Sequence, residues 1–353
     1  MGDGNFTPAE AKVLVELMAH QHEADRVIAE RLGMAPSNFA VVKKRLVGKG
    51  VLEERIGLDI GHLPEAHVAA FVWGEYNRPI RHRYEGVFAA KLRPQFPISE
   101  TMGGKDWVLN IHYFRSFEEA ETARLKFSEL LEGAIKPQVA RYTWRSVPLS
   151  HLSAYSFPGR LTRYAFTHEL EAVTSLKKAG IVEHASSERQ AKLNETEKKV
   201  LLALRKYPGM KRSEIARKVG IRQSSLSEVS KRLGQKEVIA ATRMPDPRKL
   251  PGRDIAAFTW IDLAQPMPKE EYDECIMEMI NSTPQLYSIY FSRTFILMIS
   301  MFHSLDKAEN SNVSTMERFG GNLKTLNFKI VPCEHLQMIH HPQFLEKLLG
   351  VSL

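Results

Sequence analysis

The 353-residue sequence predicts an α+β fold with two winged helix-turn-helix modules, each followed by a ferredoxin-like (βαββαβ) sandwich domain. Three observations predict it. Asn194 to Arg253 spells three short helices and then a basic turn. Basic charge gathers in that stretch: Lys192 to Arg253 holds 17 Lys and Arg against 6 Asp and Glu, whereas residues 254–353 hold 7 against 12. The chain also matches itself at an offset of 187 residues, with 22 identities in the 67 positions from Thr7 to Trp73. Unrelated chains of ordinary composition would match at roughly one position in seventeen. The repeat therefore reads as an internal duplication.

The basic module (192–253) is read element by element. Asn194-Glu195-Thr196-Glu197 is a capping box, in which Asn194 caps a helix and Glu197 reaches back to it. Val200, Leu201 and Leu204 give that helix its apolar face. Ser213 starts a short second helix that stops at Gly220. Gln223 to Lys236 is a third helix, with Leu226, Val229 and Leu233 inward and Ser224, Ser225, Ser227, Lys231 and Arg232 outward. A strand begins at Val238, and Pro245 to Arg253 forms the basic turn of a wing.

The first module (1–64) repeats this order. Thr7-Pro8-Ala9-Glu10 is its capping box, Val27 to Leu32 its short helix, and Pro36 to Val47 its third helix. The sandwich that follows (65–151) is read as strand Val68 to Trp73, helix Tyr84 to Leu92, and strands Ile98 to Met102 and Val108 to Phe114. Helix Phe117 to Leu131 and strand Gln138 to Val147 complete it. In 254–353 the same order recurs: Ile255 to Leu263, Glu270 to Ile280, Leu286 to Phe291, Phe295 to Phe302, Leu305 to Phe319, and Asn327 to Val331. Between the halves, 152–191 is read as a linker with an amphipathic helix from Arg160 to Lys178.

Composition excludes several classes. Two cysteines, Cys275 and Cys333, with no CxxC, argue against a disulfide scaffold or a structural zinc site and fit a reducing cytoplasm, here nucleoid-associated. The longest apolar run, Phe295 to Phe302, is too short to span a bilayer, so no membrane partner is expected. His335, His340, His341 and His151 are read as structural or surface residues rather than metal ligands. Gly103-Gly104 and Gly320-Gly321 lack the Lys-Ser/Thr of a phosphate loop. No nucleophile motif appears. The chain is thus expected to have no catalytic residue, metal or cofactor, and not to be an enzyme.

On these residues the chain resembles the Lrp/AsnC (feast/famine) family of transcriptional regulators, twice over nearly its whole length. Asp246-Pro247, Leu250 and Ala256-Ala257-Phe258 match the family's hinge pattern. Met102-Gly103-Gly104-Lys105-Asp106 is similar to the family's turn near the effector pocket, keeping one Gly and the final Asp. The resemblance implies an effector site at Met102, Gly103, Gly104 and Asp106, with an amino acid as the default ligand, and further self-association into a homo-oligomer. The expected function is a sequence-specific, double-stranded DNA-binding transcriptional regulator built as a covalent pseudo-dimer. Arg222, Gln223, Ser224, Ser225, Ser227, Lys231 and Arg232 would meet bases and phosphates, with Arg243, Arg248, Lys249 and Arg253 holding flanking phosphates from the wing. The first module is neutral, with 8 basic and 8 acidic residues over 5–64, and would read weakly through Ser37, Asn38, Lys43 and Lys44. Two rival readings remain. One is an enzyme, since siroheme decarboxylases resemble the same architecture, and the other is an architectural or adaptor protein.

Overall fold

The computed structural model describes residues 6–21, 23–76, 95–130, 139–167, 182–185 and 191–353. The expected helix at Tyr84 to Leu92 and the end of that from Arg160 to Lys178 lie outside these residues. The fold mixes helices with antiparallel sheets, as an α+β chain should. The chain divides into two compact units, each drawing on both halves of the sequence. The first takes described residues within Met1–Gly57, Ser153–His184 and Ala241–Glu334, and the second those within Leu58–Leu152, Ala185–Ala240 and His335–Leu353.

In the first unit, α1 (Pro8–Ala19), α2 (Asp25–Arg31) and α3 (Pro36–Gly48) bury Val13, Leu14, Leu17, Ile28, Phe39, Val42 and Leu46 against one another. Strand β1 (Leu52–Leu58) pairs with β8 (Ile239–Pro245), and the Asp246 N–H donates to Val51 O at 2.8 Å. A six-stranded sheet runs in the order β12 (Leu323–Pro332), β9 (Ile255–Leu263), β11 (Phe295–Phe302), β10 (Leu286–Ser292), β6 (Ser153–Ser156), β7 (Val182–Ala185). Helices α9 (Lys269–Ser282) and α10 (Leu305–Phe319) belong to this unit. Tyr272, Ile276 and Met279 of α9 and Phe319 of α10 join Ile261, Ile289, Ile296 and Met298 of the sheet in one apolar core. Strand β6 was expected to be linker. It adds to the edge of the sheet by pairing Ser288 with Ser156 and Phe291 with Ser153, and after it α5 (Pro158–Thr167) packs on α1.

In the second unit, α6 (Glu195–Lys206), α7 (Arg212–Val219) and α8 (Gln223–Gln235) close around Val200, Leu201, Ile215, Leu226, Val229 and Leu233. Gly220 ends α7 at φ 78°, a left-handed conformation that glycine adopts without a Cβ penalty. A five-stranded sheet runs β13 (Gln337–His340), β3 (Ile98–Gly103), β4 (Trp107–Phe114), β2 (Val68–Tyr76), β5 (Val139–Pro148). Helix α4 (Phe117–Leu130) sets Ala120, Ala123 and Phe127 into its core. The edge strand β13 comes from the far end of the sequence and covers β3. After it, α11 (Phe344–Leu349) contacts α6. Each half of the chain therefore ends in a short strand and helix that complete a unit together with the other half. An uncovered sheet edge invites pairing with foreign strands, and these additions leave four-residue strands, β7 and β13, at the edges in place of the longer β10 and β3.

The same local devices recur at the offset of 187. Both capping boxes form, Thr7 with Glu10 and Asn194 with Glu197. Both glutamates are buried, at 2% and 1% exposure, and each holds a lysine 39 residues on: Lys49 at 2.8 Å from Glu10 and Lys236 at 2.8 Å from Glu197. In both sheets an indole N–H donates to the carboxylate two residues later, Trp73 to Glu75 at 3.2 Å and Trp260 to Asp262 at 2.9 Å.

Candidate nucleic-acid interface

Helix α8 exists because Leu226, Val229 and Leu233 repeat at helical spacing, which leaves the opposite side to solvent. Arg222 sits at its N-cap, and Arg222, Gln223, Ser224 and Lys231 are exposed. Ser225 and Ser227 are half-buried, and the Ser227 hydroxyl donates back to Gln223 O at 3.2 Å. Arg232 is exposed but leans on Glu197 at 3.5 Å. Helix α7 and the residue before it add four exposed cations that the sequence reading counted as charge but did not name as a site: Lys211, Arg212, Arg217 and Lys218. Lys211, Arg212, Arg217, Lys218, Arg222 and Lys231 form no ion pair among the described residues. Lys218 instead lies over the Tyr207 ring, 4.5 Å from its centroid. Six uncompensated cations on two adjacent helices form a surface suited to phosphate.

The wing departs from the sequence reading. Arg253 is 1% exposed and lies over the Tyr164 ring at 4.7 Å, and burial pushes its pKa down to about 10. It is a core residue and cannot reach a phosphate. Arg243 is 12% exposed, paired with Asp25 at 2.6 Å and Glu54 at 3.7 Å, and it donates to the carbonyls of His20 and Glu23. It ties β8 to α2 within the first unit. Arg248 is held by Asp246 at 2.8 Å, and the Lys249 ammonium donates to Lys49 O at 2.9 Å. These four basic residues serve first as internal ties.

The first module is compensated in part: among its described residues Lys12, Lys44 and Arg45 form no ion pair, and the other cations do. Lys43, 14% exposed, shares Asp25 and Glu54 with Arg243, at 2.6 Å from each carboxylate. Arg26 pairs with Glu30 at 2.9 Å, Arg31 with Glu23 at 2.9 Å, and Lys49 with Glu10. Ser37, Asn38 and Lys44 are exposed on α3. Lys43 is thus corrected from a reader to a structural cation.

The expected effector turn is also not open. Met102 and Gly103 are buried in β3 and paired with Met338 and Gln337 of β13. Gly104 N–H closes the hairpin on Trp107 O at 3.1 Å, and Asp106 offers its carbonyl to Tyr76 N–H at 2.8 Å. A Cβ on Gly103 would lie 3.0 Å from Trp107 O, which accounts for the glycine. Strand β13 covers the edge of β3 beside this turn.

The second unit also buries a polar cluster. His341 Nε2 meets the Thr101 hydroxyl at 2.9 Å, which donates to Asn110 Oδ1 at 2.7 Å. Beside it His112, 0% exposed, lies among Phe96, Phe114 and Trp144, and neither ring nitrogen has a hydrogen-bond partner among the described residues. Burial, and then the neighbouring His341, push its pKa down to about 3. Among the described residues no group of His, Cys, Asp and Glu could hold a metal ion, and no helix is long and apolar enough to cross a membrane.

Residues 193–249 match the model of the MarR family, and they contain all six uncompensated cations. Over its whole length the chain is similar to the crystal structure of the siroheme decarboxylase NirDL, at 12% identity and a TM-score of 0.51, with 97% of this chain and 98% of that one covered. It is also similar to AsnC of E. coli, at 17% identity and a TM-score of 0.31 over 40% of this chain and 93% of that one. A Neisseria meningitidis regulator in complex with L-Met aligns at 16% identity and a TM-score of 0.31, over 40% of this chain and 90% of that one. No curated protein matches the chain. The expectation that the chain is not an enzyme is corrected here, because the fold that runs its full length is one that an enzyme uses.

Proposed function

We propose that the chain is a sequence-specific, double-stranded DNA-binding transcriptional regulator, built by internal duplication as a covalent pseudo-dimer of two winged helix-turn-helix modules and two ferredoxin-like sandwiches. The observation that carries this is the set of six exposed, uncompensated cations on α7 and α8. The match to the MarR family over the same residues supports it. In this reading α8 enters the major groove, with Arg222, Gln223 and Ser224 toward base edges, while Lys211, Arg212, Arg217, Lys218 and Lys231 hold phosphates. The first module ties five of its eight Lys and Arg to its own carboxylates and leaves Lys12, Lys44 and Arg45, so binding is unequal and the operator asymmetric.

The test is selection of genomic fragments by the purified protein and by a variant with Arg222, Lys218 and Lys231 changed to Ala. An enriched motif that the variant loses is the expected result. Absence of binding at physiological salt would sink the reading.

A second reading, an enzyme acting on a tetrapyrrole, is favoured by the whole-chain likeness to the siroheme decarboxylase. The buried Thr101, Asn110, His112 and His341 cluster gives that reading polar groups inside a sandwich. Mixing the protein with siroheme and recording the Soret region tests it, since a shifted band and loss of carboxyl groups as carbon dioxide are what it requires.

A further inference from the structure

The start of α8 carries two side chains that the fold leaves unspent. Leu226, Val229 and Leu233 turn the inner side of this helix into the module core. Two of its hydroxyls are used within the helix, Ser227 donating to Gln223 O at 3.2 Å and Ser230 to Leu226 O at 2.8 Å. Arg222 occupies the N-cap without a side-chain cap, and Gln223 is the first helical residue. Both are exposed, and among the described residues neither side chain has a hydrogen bond or an ion pair. Glu228, also exposed, lies four residues after Ser224 and so on the same face. Its carboxylate repels phosphate from the middle of that face. Backbone contacts therefore fall to Lys211, Arg212, Arg217, Lys218 and Lys231, and the first turn is left for base edges.

The duplicated module supplies the contrast. At the offset of 187, α3 begins at the same point, with Ala35 at the N-cap and Pro36 as the first helical residue. Neither has a side chain that can hydrogen-bond. Ser37 and Asn38 remain exposed on α3, and Val41, 51% exposed, stands where α8 has Glu228.

We propose that α8 specifies a guanine through Arg222 and an adenine through Gln223, and that the half-site under α3 has no guanine requirement. The guanidinium fork matches the O6 and N7 acceptors of guanine, and the carboxamide of Gln223 donates to N7 and accepts from N6 of adenine. The Ser224 hydroxyl both donates and accepts, so it tolerates either base. This deepens the DNA-binding reading and rests on it.

The experiment is selection from a randomised double-stranded DNA library by the full-length protein and by Arg222→Gln, Gln223→Ala and Lys231→Ala, followed by affinities for single-site probes. The parent should enrich a motif with a required guanine and adenine in one half only, each preferred about 5- to 150-fold over the exchanged pair. Arg222→Gln should lose the guanine requirement and Gln223→Ala the adenine requirement, with the other positions kept. Lys231→Ala should weaken all probes alike and keep the motif, as loss of a phosphate contact does. Circular dichroism melts establish that each variant is folded. A motif whose base preferences survive both Arg222→Gln and Gln223→Ala, or a guanine required equally in both halves, would overturn the proposal and leave DNA binding standing. No binding of any probe by the parent would overturn both.

Discussion

Buried ionisable side chains set how this protein responds to pH. Glu197 loses solvent on burial, which alone would raise its pKa, but Lys236, the Asn194 N–H and Arg232 outweigh that and hold it below the ordinary carboxylate value of 4.5. A depressed carboxylate contributes stability above the unfolded pKa and loses it as pH falls through the folded one. Glu197→Gln should therefore cost about 1–2 kcal/mol near neutrality and progressively less below about pH 4, read as urea midpoints across pH. His112 acts in the opposite chemical sense with the same slope. Its folded pKa is pushed down to about 3 by burial and His341. The unfolded chain takes up that proton from about pH 6.5 downward and the folded chain does not, so stability falls on acidification. His112→Leu should remove this loss, gaining about 2 kcal/mol at pH 5 relative to its effect at pH 7.5. The partnerless ring nitrogens argue for a further gain at all pH. A variant as acid-sensitive as the parent would refute the assignment.

At the scale of elements, the unequal compensation of the two three-helix modules decides what each can do. Counterion release gives a salt slope of about −0.9 per neutralised phosphate. Changing Arg217 and Lys218 to Ala should make the slope of log affinity against log salt shallower by about one unit for each phosphate that α7 no longer neutralises. Changing Lys43 to Met should leave the slope unaltered, because Lys43 already neutralises Asp25 and Glu54. Equal slopes for all three proteins would show that α7 touches no phosphate. The helices of both modules were legible in the sequence because caps and apolar spacing are local signals: Thr7 with Glu10, Asn194 with Glu197, Leu226 with Val229 and Leu233. The wing was misread for a physical reason. Arg243, Arg248 and Arg253 look like free cations along the chain, and only the fold brings Asp25, Glu54 and Tyr164 against Arg243 and Arg253. Asp246, by contrast, was a near neighbour of Arg248 and could have been seen. Strands β6 and β13 were missed because four-residue edge strands have little periodicity, and their partners, β10 and β3, are far away in sequence.

For the molecule as a whole, the contiguous reading of the sequence and the compact units of the fold do not share boundaries. The first unit joins 1–57 to 241–334 through the β1–β8 pair, the Asp246 to Val51 hydrogen bond, and Arg243 with Asp25. The second joins 58–152 to 185–240 and 335–353 through Ala191 N–H to His62 O at 3.0 Å, Lys198 with Glu65, and β13 against β3. Cutting the chain at residue 152 therefore gives no fragment that contains a complete unit. Fragment 1–152 would leave β1 unpaired and β3 uncovered, fragment 153–353 would leave β8 and β13 unpaired, and neither would hold the three-helix module that shares a unit with its sheet. Fragments 1–152 and 153–353 expressed separately should be aggregated or show broad, non-cooperative melts. Expressed together they should associate and recover one cooperative transition. Two independently folded, monomeric fragments would mean that the exchanged strands and ion pairs contribute little.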